Sequence, residues 1–201
     1  SQDVSISDNI LKQVSDAYRR FRNTFRFLLG NLEDFDFAAD AVAWEVLEPI
    51  DRYMMVKTAK TLKGIEEAYD AYKYNQVYRI AYDFVNDLSA VYMDVAKDRL
   101  YSEAPASPRR RAVQTVLMNV LETLVRVLSP VLSFTCEEVW EHYPSTERNR
   151  EGREESVQLA GWPTAEDFTP ALPSSDEQEA LFSSFTTVLD VRDVVTKALE
   201  E

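Results

Sequence analysis

The stretch Ser15–Leu32, SDAYRRFRNTFRFLLGNL, decides the fold. With Leu11 and Val14 ahead of it, its apolar residues Tyr18, Phe21, Phe25, Leu28 and Leu32 recur every three or four positions, the period of an amphipathic helix with one face in a core. At about 100° per residue, Arg22, Arg26, Arg19 and Asn23 fall within roughly a 100° arc beside that seam, while Arg20 points elsewhere. Guanidinium forks match phosphates and base edges, and an amide can read a base through paired hydrogen bonds, so this stripe is a candidate RNA-binding face. The same spacing also describes a solvated helix face, because arginine forms helices well and is mostly exposed.

A chain of 201 residues with 45% apolar content can bury one substantial core plus an appendage. Four glycines and helical periods throughout predict an all-α helical bundle. No apolar run approaches the roughly 20 residues that span a bilayer, and no leader-like segment is visible at the N-terminus, so no membrane partner is expected. One cysteine, Cys136, and one histidine, His142, can make neither an internal disulfide nor a tetrahedral thiolate and imidazole zinc site, which fits a reducing cytoplasm. The net charge of −13 argues against promiscuous binding to polyanions. That charge is uneven, with 12 acidic against 3 basic residues from Glu151 onward.

Along the chain, a first helix is predicted to start near Ser5 or Ser7, in a capping box with Asp8, and to close at Gly30-Asn31. Residues 33–43 read as a loop pinned by Phe35 and Phe37. A second helix runs from Pro49 to Tyr72 with Ile50, Met54, Leu62, Ile65, Tyr69 and Tyr72 inside; Arg52, Lys60 and Lys63 lie on its far side, and Gly64 has no local reason. Asn75 caps a third helix whose stripe is Val77, Ile80, Ala81, Phe84, Leu88, Val91 and Val95. Tyr69, Tyr72, Tyr74, Tyr78 and Tyr82 read as core edges with wet hydroxyls, the alternative being stacking on splayed bases. Lys97 and Arg99 complement this helix's C-terminal dipole.

Ser107-Pro108 opens a long fourth helix, buried through Val113, Val116, Leu117, Val120, Leu121, Leu124, Val127 and Leu128 until Ser129-Pro130 breaks it. Arg109, Arg110 and Arg111 sit at its positive end, where either another group compensates them or solvent screens them, and screening is the expected case. Thr135-Cys136-Glu137-Glu138 reads as a second capping box, stapled by Phe134 and Val139. Residues 144–175 read as a connector with an extended segment at Ser156–Ala160. A last helix, opening near Asp176 and striped by Leu181, Phe185, Val188, Leu189 and Val195, leaves an apolar face wanting a partner, as in a piece of a longer chain. The resulting division is 1–143, 144–175 and 176–201.

Catalytic and metal constellations are missing from the sequence. A di-iron bundle needs two Glu-x-x-His motifs, and Glu138 with His142 supplies too few ligands for a metal. No phosphate-binding glycine loop or Ser/His/Asp set is present. Neither a catalytic residue nor a cofactor is expected in this chain.

YRRFRNTFRFLLGNL resembles the first helix of the anticodon-binding domain of bacterial isoleucyl-tRNA synthetases, a class I family. Three further blocks, VYRIAYDFVNDLSAVYMDVAKDRLY, RRRAVQTVLMNVLETLVRVLSPVLSFTCEEVW and VQLAGWP, follow in that family's order. The resemblance implies a helical bundle that docks on the anticodon stem-loop of tRNA(Ile). In the parent enzyme a separate domain would use ATP and magnesium, and zinc would sit on cysteines that this chain lacks. The catalytic HIGH-like and KMSKS-like signatures are absent here, so the chain is expected to be non-catalytic and to partner the catalytic and C-terminal regions of the same polypeptide. By analogy with the methionine branch, Arg22-Asn23 and Tyr101 match positions near the anticodon. Arg19 and Arg26 join the first set; Lys97, Arg99 and Tyr101 form a second. The competing reading is a structural helical module that docks protein on protein without reading RNA.

Overall fold

The computed structural model describes residues 6–143 and 153–200. Helix α1 spans Asp8–Asn31, and its cap is Ser7, whose hydroxyl accepts from the Ile10 N–H; the alternative start at Ser5 lies outside the described residues. The helix ends at Asn31, as predicted, but Gly30 takes no left-handed conformation to close it. The Leu32 N–H closes it by donating to the Leu29 carbonyl, with the Asn31 amide turned back on Phe27. Phe21, Phe25, Leu28 and Leu32 are buried as the period predicts, whereas Leu11, Val14 and Tyr18 are exposed, and Ala17 rather than Tyr18 is buried in the turn before Phe21. The first turns of α1 lie beyond the reach of the helices that cover the rest of it.

A short helix α2, Phe37–Asp40, interrupts the predicted loop because Asp36 caps it through the Ala38 and Ala39 N–H groups. Phe35 beside it is fully buried. Helix α3, Pro49–Asp70, is the centre of the bundle and packs on α4, α6 and the last helix. It ends on Tyr72, which adopts φ 54° while the Lys73 N–H reaches back to the Ala68 carbonyl at 2.8 Å. This left-handed closure, normally a glycine's task, turns Tyr72 outward, so it leaves the predicted buried stripe. Gly64 faces α4, where an added Cβ would meet Ile80 at 3.6 Å, an ordinary contact distance.

Helix α4 covers Tyr74–Asp87, with Lys73 rather than Asn75 at its cap, and continues through a π-helical turn at Leu88–Met93 into α5, Asp94–Ser102. The wide turn advances the helical phase, so the buried set becomes Leu88, Tyr92, Met93, Ala96 and Leu100, and Val95 faces solvent. It also turns Arg99 inward. Its guanidinium grips both oxygens of the fully buried Asp51 carboxylate at 2.8 and 2.7 Å. The Tyr92 hydroxyl donates to the same carboxylate at 2.7 Å, and the Glu48 N–H at the start of α3 completes its acceptor set at 3.0 Å. Burial, reinforced by the neighbouring Asp51, holds the Tyr92 hydroxyl well above its ordinary pKa. The dipole account of Arg99 therefore gives way to a core ion pair.

Helix α6, Pro108–Leu128, is buried nearly all round. Its three leading arginines are matched by carboxylates rather than merely screened. Arg109 pairs with Glu48 and Glu103, Arg110 with Asp34, and Arg111 with Asp34 and Asp40. Arg110 in turn holds the Asp34 carboxyl below its ordinary range. The Ser107 hydroxyl turns to Glu103 and makes no cap bond, so the start of α6 relies on Pro108 and these ion pairs. Helix α7, Ser133–Glu141, begins two residues before the predicted box; Thr135 is inside it and Phe134 is exposed. Cys136 is buried, which pushes its thiol up to about 12.

Residues 153–173 lie against the bundle without forming the extended segment predicted at 156–160, where the backbone turns instead. The Arg153 guanidinium stacks on Trp140 and Tyr143 at 3.6 and 3.5 Å and pairs with Glu122. Asn119 of α6 bonds both the N–H and the carbonyl of Thr169. Helix α8, Ser175–Glu200, opens at Ser174, which exchanges bonds with Glu177. Its Phe182 and Phe185 stack on Tyr53 of α3, with ring centroids 5.6 and 4.9 Å apart, while Val188, Val191, Val195 and Leu199 stay exposed.

Arg99→Met leaves Asp51 charged and unpaired in the core and is expected to cost about 3–5 kcal/mol in urea unfolding, with the Asp51→Leu/Arg99→Met pair recovering much of that loss. A cost under about 1 kcal/mol for the single variant would show that the pair does not hold the core. Gly64→Ala fits the available space and is expected to raise stability by about 0.5–1 kcal/mol through helix propensity, read as a higher urea midpoint.

Candidate nucleic-acid interface

The arginine stripe of α1 straddles a ridge, because the helix packs with its Phe21, Phe25 and Leu28 face down and meets other helices on both flanks. One flank forms a groove of about 560 Å³ with α7, into which Arg22, Arg26, Thr135, Glu138 and His142 project. There the Arg22 guanidinium donates to both oxygens of Glu138 at 2.7 and 2.9 Å. Beside this pair the Tyr18 hydroxyl bonds the Thr135 hydroxyl at 3.0 Å. That bond, together with one to Arg22, lowers the Tyr18 pKa, and the Arg22 hydrogen bonds hold the Glu138 carboxyl below its ordinary range. Thr135 and Glu138 thus reach across to α1 rather than capping their own helix. The His142 ring bonds the Glu138 carbonyl at 2.8 Å.

The other flank forms a groove of about 730 Å³ with the π turn and α5, lined by Arg19, Arg20, Asn23, Ser89, Met93 and Lys97 among others. Arg19 and Asn23 from the first candidate set therefore meet Lys97 from the second. Arg20 belongs here as well: it bonds Asn86 and lies over the Tyr82 ring at 5.6 Å. Arg19 leans on Asp16 at 3.4 Å, and Lys97 on Asp94 at 3.2 Å. Arg99 is withdrawn into the core, and Tyr101 is exposed at the end of α5 but lines neither groove.

Ser89, Met93 and Glu138 escape sequence reasoning. The first two depend on the phase change at the π turn, and Glu138 becomes relevant only when α7 is laid beside α1. The tyrosines divide by position. Tyr69 donates to the Val127 carbonyl and meets Tyr74 edge-on, and Tyr78 and Tyr82 stack on each other and meet Phe21 edge-on; Tyr72, Tyr74 and Tyr78 are exposed. Of the far-side cations on α3, Arg52 bonds the Trp44 and Glu45 carbonyls, and Lys60 pairs with Glu179. Among the described residues no group of three His, Cys, Asp or Glu side chains is placed to hold a metal ion, and no helix is long and apolar enough to cross a membrane. Forked cations, an amide and hydroxyls on two grooves are equipment for binding an anionic polymer with hydrogen-bonding edges.

Residues 51–201 match the family described as the anticodon-binding domain of tRNA ligase. An isoleucine–tRNA ligase of Brevibacillus brevis is 46% identical over 205 residues, 99% of this chain and 20% of that protein. The Geobacillus thermodenitrificans ligase of the same name is 47% identical over 199 residues, 98% of this chain and 20% of that protein, and the Syntrophomonas wolfei ligase is 40% identical over 200 residues, 99% and 20%. The chain spans about one fifth of the length of the curated relatives it matches. Those relatives align along α1 as well, although the family match begins within α3 at residue 51. A helical bundle with this match over three quarters of its length belongs to the anticodon-binding domain family of tRNA ligases.

Proposed function

We propose that this chain binds the anticodon stem-loop of tRNA(Ile) and positions the tRNA for aminoacylation at a catalytic domain elsewhere in a cytoplasmic isoleucine–tRNA ligase. The observation that carries this reading is the ridge of α1. In a chain of net charge −13, Arg22 and Arg26 overlook one groove while Arg19 and Asn23, joined by Lys97, overlook the other. A strand of unpaired nucleotides laid over that ridge meets cations on both sides and an amide that can read a base edge. A few such contacts at about 1–3 kcal/mol each supply roughly 10- to 100-fold discrimination apiece. No bond is made or broken by these residues; ATP and magnesium, and any zinc, belong to other parts of the parent enzyme.

The second reading, a module that docks protein on protein, draws on the Arg22–Glu138 pair, since arginines on this surface already accept carboxylate partners. Both readings are electrostatic, so salt dependence does not separate them; sequence discrimination does. Titration with an isoleucine-type anticodon hairpin and with the same hairpin carrying a methionine anticodon, at matched low salt, is expected to show tighter binding of the first. Arg22→Ala is expected to weaken that binding by about tenfold or more. Equal binding of the two hairpins would reduce the domain to a backbone clamp. Parent-like affinity in Arg22→Ala would remove Arg22 from the interface.

A further inference from the structure

The pair between Arg22 and Glu138 differs from the other contacts of the α1 stripe. Arg19 leans on a residue of its own helix through one nitrogen at 3.4 Å, whereas Arg22 spends both arms of its fork on a carboxylate brought by another helix, at 2.7 and 2.9 Å. The pair is not buried: the side chains of Arg22 and Glu138 remain 43% and 50% exposed, so water and solutes reach both. Nor is it needed to dock α7, which is held by buried Cys136, Val139 and Trp140 and by the separate Tyr18–Thr135 bond. A carboxylate and a phosphate present the same two-oxygen face to a guanidinium, so on the Nη1/Nη2 edge of Arg22 one replaces the other.

We propose that Glu138 is a built-in competitor for the RNA, occupying the Arg22 fork in the free protein and yielding it to a phosphate or base edge when the stem-loop binds. This rests on the RNA-binding reading above and deepens it. The contribution of Arg22 to affinity is then the difference between two forked contacts, and Glu138 stands ready to reclaim Arg22 as the RNA departs. The domain gains release at the expense of grip. Arg22 is also kept in an extended, oriented conformer between binding events, which lowers the ordering cost of meeting the next ligand.

The test uses a fluorescent isoleucine-type hairpin, with affinity read by anisotropy and release by stopped flow. Glu138→Gln is expected to bind about two- to fivefold more tightly and to release more slowly, the range an exposed ion pair supports. Glu141→Gln removes the same charge from the same groove, away from the Arg22 fork, and is expected to give a smaller gain. In an Arg22→Ala background the effect of Glu138→Gln is expected to vanish. Equal gains from Glu138→Gln and Glu141→Gln, or a gain that persists without Arg22, would assign the effect to bulk charge and overturn the proposal. Unchanged or weaker binding by Glu138→Gln, with the parent still preferring the isoleucine hairpin, would overturn the competitor while leaving the RNA reading intact. Failure of both the parent and Glu138→Gln to bind the hairpin would overturn both.

Discussion

The buried carboxylate of Asp51 is the constraint to which the rest of the bundle conforms. A charge with no water around it must be neutralised and have its lone pairs filled, and Arg99, Tyr92 and the Glu48 N–H do this from two directions along the chain. For Tyr92 and Arg99 to face α3 together, the helix carrying them advances its phase at Leu88–Met93. The same phase change delivers Ser89, Met93 and Lys97 to the groove beside α1. An internal charge requirement and the outline of the external surface are thus settled by one wide helical turn.

Charge is handled differently at the surface. The start of α6 collects three arginines at the positive end of a helix, and Asp34, Asp40, Glu48 and Glu103 gather around them. Carboxylates from the loop after α1, from α2, from the approach to α3 and from the approach to α6 meet there, so these ion pairs tie together segments that are distant in sequence. Arg109 is exposed while Arg110 and Arg111 are largely buried, and together the pairs form a network that ties the loops between helices to the start of α6. The arginines of α1 are arranged otherwise, with acidic partners that are local, as for Arg19, or half exposed to solvent, as for Arg22.

The helical class, the extent of α1, α3 and α6 and most of the core were legible because hydrophobic period is a local signal and these helices are long. The candidate site was legible in part: helical geometry placed Arg19, Arg22, Asn23 and Arg26 on one stripe, but not the split of that stripe between two grooves. The misreadings share a physical origin. Thr135 and Glu138 carry the residue types of a capping box and are used across a helix–helix seam instead. Arg99 carries the charge expected at a helix end and is used in the core. Tyr72 takes a left-handed conformation for which its sequence gives no cue. In each case a side chain with a plausible local role is claimed by a partner more than forty residues away or by a backbone demand, and a single sequence does not display distance in space.

The way residues 153–189 close over the bundle bears on the order in which the chain can fold as it is made. Asn119 of α6 acquires its partners only at Thr169, and Tyr53 of α3 acquires its stacked cover only at Phe182 and Phe185. The two central helices are therefore synthesised well before the segments that cover them, and in the interval the amide of Asn119 and the ring of Tyr53 lack their final neighbours. Long separations of this kind delay the last step of folding until the late segment has left the ribosome, because loop closure precedes the contacts that reward it. Residues 153–189 then act as a lock on the helices that precede them, and the bundle gains this cover only once they have been made.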